Sequence, residues 1–168
     1  MPTGTAHTAQ PLRVGDVTDQ TAGVGGPTHN DASGPMEILL VEDGLTDARM
    51  TIYAIRRSKL HHRVTLMRTI ADANDFIRRR GVYARAPVTS LLLLDVQLPD
   101  GSGLDWWQQL AKENCTPAAT VILTASDDPA VRETAEAIGV TSFLQKPVRE
   151  EDFMRIVRNH KRLIVTLV

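Results

Sequence analysis

The chain has 168 residues, enough for one ordinary domain and a tail, with 23% charged residues and a formal net charge of -1. That balance gives no electrostatic drive toward nucleic acid or a membrane surface, and no apolar stretch is long enough to span a bilayer. The single cysteine, Cys115, excludes an intrachain disulfide and suits a reducing compartment; the opening MPTGTAHTAQ has no secretory apolar region, so a cytoplasmic location is expected.

Residues 1–35 are rich in Thr, Gly, Ala and Pro and nearly lack large apolar side chains, so they read as a disordered leader. From Met36 the chain alternates. Glu37 to Val41 is a short apolar run, the first strand. Thr46 to Ser58 has Ala48, Ile52 and Ile55 at helical spacing, with Thr46 as cap. His61 and His62 read as polar linker, because neighbouring side chains do not converge on one metal. Val64 to Met67 is the second strand, and Ala71 to Arg80 a helix stopped by Gly81. Leu91 to Leu94 is the third strand. Gly103 to Glu113 is a helix with Leu104, Trp107, Leu110 and Ala111 along one side, which leaves Trp106 as the more exposed tryptophan. Thr120 to Leu123 is the fourth strand. Pro129 to Ile138 is a helix with Pro in its first turn and Gly139 beyond its end. Thr141 to Leu144 is the fifth strand, and Glu150 to about Leu163 the last helix, with Phe153, Ile156, Val157 and His160 facing inward.

Short strands that are apolar throughout are covered on both faces, so the sheet is parallel. Right-handed crossovers then predict an α/β doubly wound, three-layer domain, for which the strand order 2-1-3-4-5 is common. The switch point falls between the first and third strands, where ligands bind in such sheets. Glu42 and Asp43 follow the first strand and Asp95 the third; Thr124 ends the fourth, and Lys146-Pro147 follows the fifth.

An ionised carboxylate at the end of a buried strand needs a cation or several donors, and clustered carboxylates repel unless neutralised. An open, all-oxygen set suits Mg2+. Asp43 and Asp95 are the natural direct ligands and Glu42 a ligand through water. One Asp95 oxygen then remains as a nucleophile toward a phosphoryl group, with Lys146 and Thr124 placed to contact phosphoryl oxygens. A cis bond before Pro147 fits this position. Each residue alone has a plainer reading, as a turn cap, a β-former or a solvated lysine. Their joint occurrence at successive strand ends is what carries the chemistry.

The segments ILLVEDG, LLLLDVQLPDGSG, VILTAS and FLQKPV resemble the receiver domain of two-component response regulators over Met36 to about Arg158, within a receiver unit of residues 36–160. The resemblance implies a flavodoxin-like fold, a histidine kinase as phosphoryl donor and Asp95 as acceptor. It implies Mg2+ on Asp43, Asp95 and the Gln97 backbone carbonyl, and gives Thr124 and Lys146 the family's phosphoryl-binding roles. Thr124 and Phe143 would form the switch, the aromatic turning inward as the residue at Thr124 moves toward the phosphoryl group. VEDGLTDARM, a long connection from the first helix to the second strand, and an apolar C-terminus resemble phytochrome-associated single-domain response regulators, which implies a bacteriophytochrome kinase as partner.

Members of the family often pair through the fourth helix, fifth strand and fifth helix, so a homodimer through that face is expected. The apolar extension 161–168 either completes the core or covers a partner. No effector domain fits after the last helix, so output is expected through protein contact or phosphate relay. Two rival readings remain: a phosphorylation-independent interaction module, and a phosphatase of the haloacid dehalogenase type. The intact set Asp43, Asp95, Thr124 and Lys146 argues against the first. The second needs an acid two residues after the nucleophile, where this chain has Gln97, so turnover of an external substrate is not expected. Short Ser126 is poorly suited to position a hydrolytic water, which predicts a long-lived phosphoryl group.

Overall fold

A computed structural model describes residues 12–14, 34–125, 128–140 and 142–160. The remainder of the leader, Ser126, Thr141 and the extension 161–168 lie outside the described residues, and so do the expectations placed on them. The strands are β1 (Leu12–Val14), β2 (Met36–Val41), β3 (His62–Met67), β4 (Leu91–Asp95), β5 (Gln97–Leu98), β6 (Gly101–Ser102), β7 (Ala119–Thr124) and β8 (Phe143–Gln145). The helices are α1 (Leu45–Arg57), α2 (Ile70–Ile77), α3 (Gly103–Lys112), α4 (Pro129–Ala137) and α5 (Glu150–Asn159).

The main sheet runs β1-β3-β2-β4-β7-β8. Its last five strands are all parallel, in the expected 2-1-3-4-5 order. β1 was not anticipated: within the expected disordered leader it pairs antiparallel with β3 and gives the sheet a sixth strand. A three-residue strand offers too little pattern to read in advance.

The period-two geometry of the strands sorts their side chains into two cores. Ile38, Leu40, Val64, Leu66, Leu91, Leu93, Val121, Leu123 and Leu144 meet α1 and α5. Leu39, Val41, Met67, Leu92, Leu94 and Ile122 meet α2, α3 and α4 on the opposite face. Every member of the run Leu91 to Leu94 is fully buried, which is why it shows no alternation in sequence.

Several local expectations are corrected. Trp106 is buried to 5% exposure, more deeply than Trp107 at 9%. α3 is flanked on two sides, so each indole finds a partner: Trp106 Nε1 donates to Asn74 of α2 and Trp107 Nε1 to Thr120 of β7. Thr46 does not cap α1; Gly44 holds that position, and its N–H donates to the Glu42 carboxylate at 2.9 Å. α2 starts at Ile70, capped by Thr69, whose hydroxyl accepts from the Asp72 N–H. The connection between α1 and β3 is short, residues 58–61, because His62 already belongs to the strand rather than to a linker. His160 is the C-cap of α5, its ring hydrogen-bonded to Ser142. Among the described residues no helix is long and apolar enough to cross a membrane.

Candidate functional site

At the C-terminal ends of the parallel strands the backbone turns into loops, and a cleft of about 580 Å³ opens there. Glu42, Asp43, Asp95, Gln97, Thr124 and Lys146 all line it. The sequence-predicted residues therefore converge, Phe143 excepted; it sits at the start of β8, half-buried against the α3–α4 side.

Glu42, Asp43 and Asp95 each present a carboxylate oxygen within 4.8 Å of the others. Lys146 Nζ reaches into this group, 2.5 Å from Glu42 and 2.8 Å from Asp95, with Asp47 at 3.4 Å. Burial lowers the proton affinity of the Lys146 ammonium, but its hydrogen bonds to Asp95 and Glu42 outweigh that, and its pKa is raised. Glu42 is 1% exposed. Desolvation pushes its pKa up, against the lowering effects of Lys146 and the Gly44 N–H. One ammonium against four carboxylates leaves a surplus of negative charge in a cleft open to solvent. The donors are all oxygen, which fits a hard divalent cation. Glu42, Asp43 and Asp95 could hold one between them. Both Glu42 oxygens are already engaged, by Gly44 and Lys146, and both Asp95 oxygens by the Gln97 N–H and Lys146.

The backbone around Asp95 admits little variation. β5 and β6 form a two-residue hairpin after it, closed by the Gly103 N–H on the Val96 carbonyl at 2.9 Å. A Cβ on Gly103 would lie 2.2 Å from the Asp95 carbonyl oxygen, so only glycine fits there. Thr124 ends β7 on the cleft wall, its carbonyl accepting the Lys146 N–H at 2.8 Å. The Lys146-Pro147 bond is cis.

Three contributors were not read from the sequence. Asp47, in the first turn of α1, adds a third carboxylate around Lys146, beside Glu42 and Asp95. Arg68 follows β3 and donates from Nη2 (2.9 Å) and Nε (3.3 Å) to the Asp43 carbonyl, fixing that loop. Asp100, at the hairpin tip, accepts the N–H groups of Ile70 and Ala71 at 2.9 Å each and so ties the hairpin to the N-terminus of α2. Asp47 lies in the first turn of α1, close in sequence to Glu42 and Asp43, and that proximity was available to find it. Arg68 and Asp100 act on backbone groups 25 to 30 residues away and left no local signal.

The clustered carboxylates and the lysine lie at the switch point of a doubly wound parallel sheet, where ligands bind in such folds. Residues 38–158 match the response regulator receiver domain, and the chain belongs to that family, the signalling receivers of two-component systems. It is 25% identical over 130 residues to response regulator Rcp1 of Synechocystis sp., covering 77% of this chain and 88% of that protein. The solved Mn(2+)-bound form of Rcp1 superposes with a TM-score of 0.62 at 25% identity, covering 80% of this chain and 99% of that one. The bacteriophytochrome response regulator RtBRR gives a TM-score of 0.67 at 30% identity, covering 76% and 78%. The phosphorylated cyanobacterial phytochrome response regulator RcpA gives 0.62 at 25% identity, covering 73% and 89%.

Proposed function

We propose that Asp95 is the phosphoacceptor of a phosphorelay switch that signals through conformational change and protein contact. The observation that carries this reading is the Asp95–Lys146–Glu42 cluster, with Asp43 beside it, at the mouth of the sheet. An Asp95 carboxylate oxygen attacks the phosphorus of a phosphohistidine. The N–P bond breaks, the imidazole leaves and takes up a proton, and an acyl phosphate remains on Asp95. The Lys146 ammonium and the Thr124 hydroxyl donate to phosphoryl oxygens. Mg2+, held by Asp43, Asp95 and the Gln97 carbonyl, supplies charge neutralisation when bound. Thr124 and Phe143 relay the change to the α4–β8 side.

The donor in this reading is a sensor histidine kinase of the bacteriophytochrome type. The likeness to RtBRR and RcpA supports that choice, and a homodimer through α4, β8 and α5 belongs to the same reading. The protein is a phosphoacceptor and does not turn over an external substrate.

The test is phosphorylation by acetyl phosphate with Mg2+, followed by intact mass, on the wild type and Asp95→Asn. The expected result is a gain of one phosphoryl group in the wild type alone, abolished by chelation of the metal. An equal gain in Asp95→Asn would move the acceptor elsewhere. No gain in either would favour the phosphorylation-independent module.

A further inference from the structure

The two edges of the main sheet are finished differently. β8 is only three residues long and is followed within two residues by Pro147, features that blunt an edge by themselves. β3 has neither protection. It is six residues long, pairs with β2 in unbroken register, contains no proline or bulge, and carries its one formal charge at Arg63, near its lower end. Val64, Thr65, Leu66 and Met67 form an uncharged run of high β-propensity. Left open, such a strand is a template for a second sheet edge.

β1 covers it. Leu12 faces Leu66, Arg13 faces Thr65 and Val14 faces Val64 in an antiparallel ladder, so β1 runs down toward the end of the sheet where β2 begins. The gap from β1 to β2 across β3 is two strand spacings, roughly 10 Å. Residues 15–35 join the two, and twenty-one residues are enough to span far more than that gap. An edge carried on the same chain is met at a higher local concentration than a second copy supplies in dilute solution. Its own chain is therefore the preferred partner of β1.

We propose that Leu12–Val14 is a tethered edge strand: it closes β3 within its own chain and keeps two copies from joining their sheets edge to edge through β3. The leader is then a guard for the sheet, separate from the phosphoacceptor site and independent of its chemistry.

Two measurements on the full-length chain test this. In a Cys115→Ser background, Arg13→Cys with Thr65→Cys places two thiols on facing positions of the ladder. Oxidised below micromolar concentration, this protein is expected to form a disulfide at the mass of one chain. Arg13→Cys with Val88→Cys, the latter 72% exposed and outside the β1–β3 ladder, is expected to form none. A disulfide found only between two chains, or none at all, would overturn the intramolecular placement. Separately, Arg13→Pro with Val14→Pro removes the β1 donors while leaving β3 untouched. In sedimentation at 100-fold higher concentration, the average mass of this variant is expected to rise about twofold above that of the wild type. Equal masses for the two proteins would overturn the guarding role.

Discussion

The two faces of the sheet are built to different standards. The face under α1 and α5 is closed by aliphatic side chains and Phe153, and among the described residues Met154 is the one half-buried hydrophobic at its margin. The face under α2, α3 and α4 holds both tryptophans and Tyr83, and around it lie Ile70, Ile77, Val96, Ala111, Cys115, Val131, Ile138 and Phe143, all half-buried. The first is a sealed core of jigsaw packing. The second is stitched by directional contacts such as Trp106 to Asn74, Trp107 to Thr120 and Arg78 to Glu113. Directional contacts can be exchanged one at a time; close packing resists partial change. If Asp95 is the phosphoacceptor proposed above, this difference puts the expected response to its chemistry on the second face and the rigid frame on the first.

The strongest way to break this comparison is to damage the frame. Leu93→Ala, on the sealed face and fully buried, is expected to cost about 3–5 kcal/mol in urea denaturation. Val131→Ala, on the margin of the other face, is expected to cost about 1 kcal/mol or less, because a half-buried site can collapse. Equal costs would remove the distinction. Gly103→Ala lies between these two: the clash with the Asp95 carbonyl should cost about 1–3 kcal/mol. It should also reduce acetyl phosphate labelling by displacing Asp95.

Smaller effects sharpen the contrast. Trp106→Phe keeps the ring on the second face but removes its donor to Asn74, an expected loss of about 1 kcal/mol in the same denaturation. His62 shares the side of β3 that Val64 and Leu66 present to the sealed face. Burial holds its pKa below the ordinary value, so the unfolded chain binds the proton more readily. Its contribution to stability is therefore full above about pH 6.5 and declines as the pH falls below that value. Replacing it in His62→Gln should flatten the stability slope between about pH 7 and 5 relative to wild type. The smallest effect is expected at Arg132, whose guanidinium lies 4.6 Å from the centre of the Phe143 ring. Arg132→Gln should cost about 0.5–1 kcal/mol and broaden the Phe143 ring resonances in NMR spectra.

Much of this was legible before the structure. The five parallel strands and their order follow from runs that could only be buried on both faces, and the site residues follow from their places at the strand ends. What escaped was non-local. Trp106 was misjudged because a single inward stripe was assumed for α3, whereas α2 and β7 press on two of its sides. The start of α1 was misassigned because Gly44, which has no side chain to cap with, holds the N-cap, and its own N–H is met from the preceding loop by Glu42. β1 escaped because Leu12, Arg13 and Val14 acquire meaning only opposite β3, some fifty residues on. Arg68 and Asp100 hold backbone atoms, and no side-chain pattern records that.

The most direct test of the division between the faces is amide hydrogen exchange on the wild type with and without acetyl phosphate and Mg2+, with Asp95→Asn as control. The account predicts altered exchange in the ends of β7 and β8, in α4 and along α3. It predicts unchanged protection in α1 and α5, and no change anywhere in Asp95→Asn. Equal changes on both faces, or a response centred on α1 and α5, would contradict it.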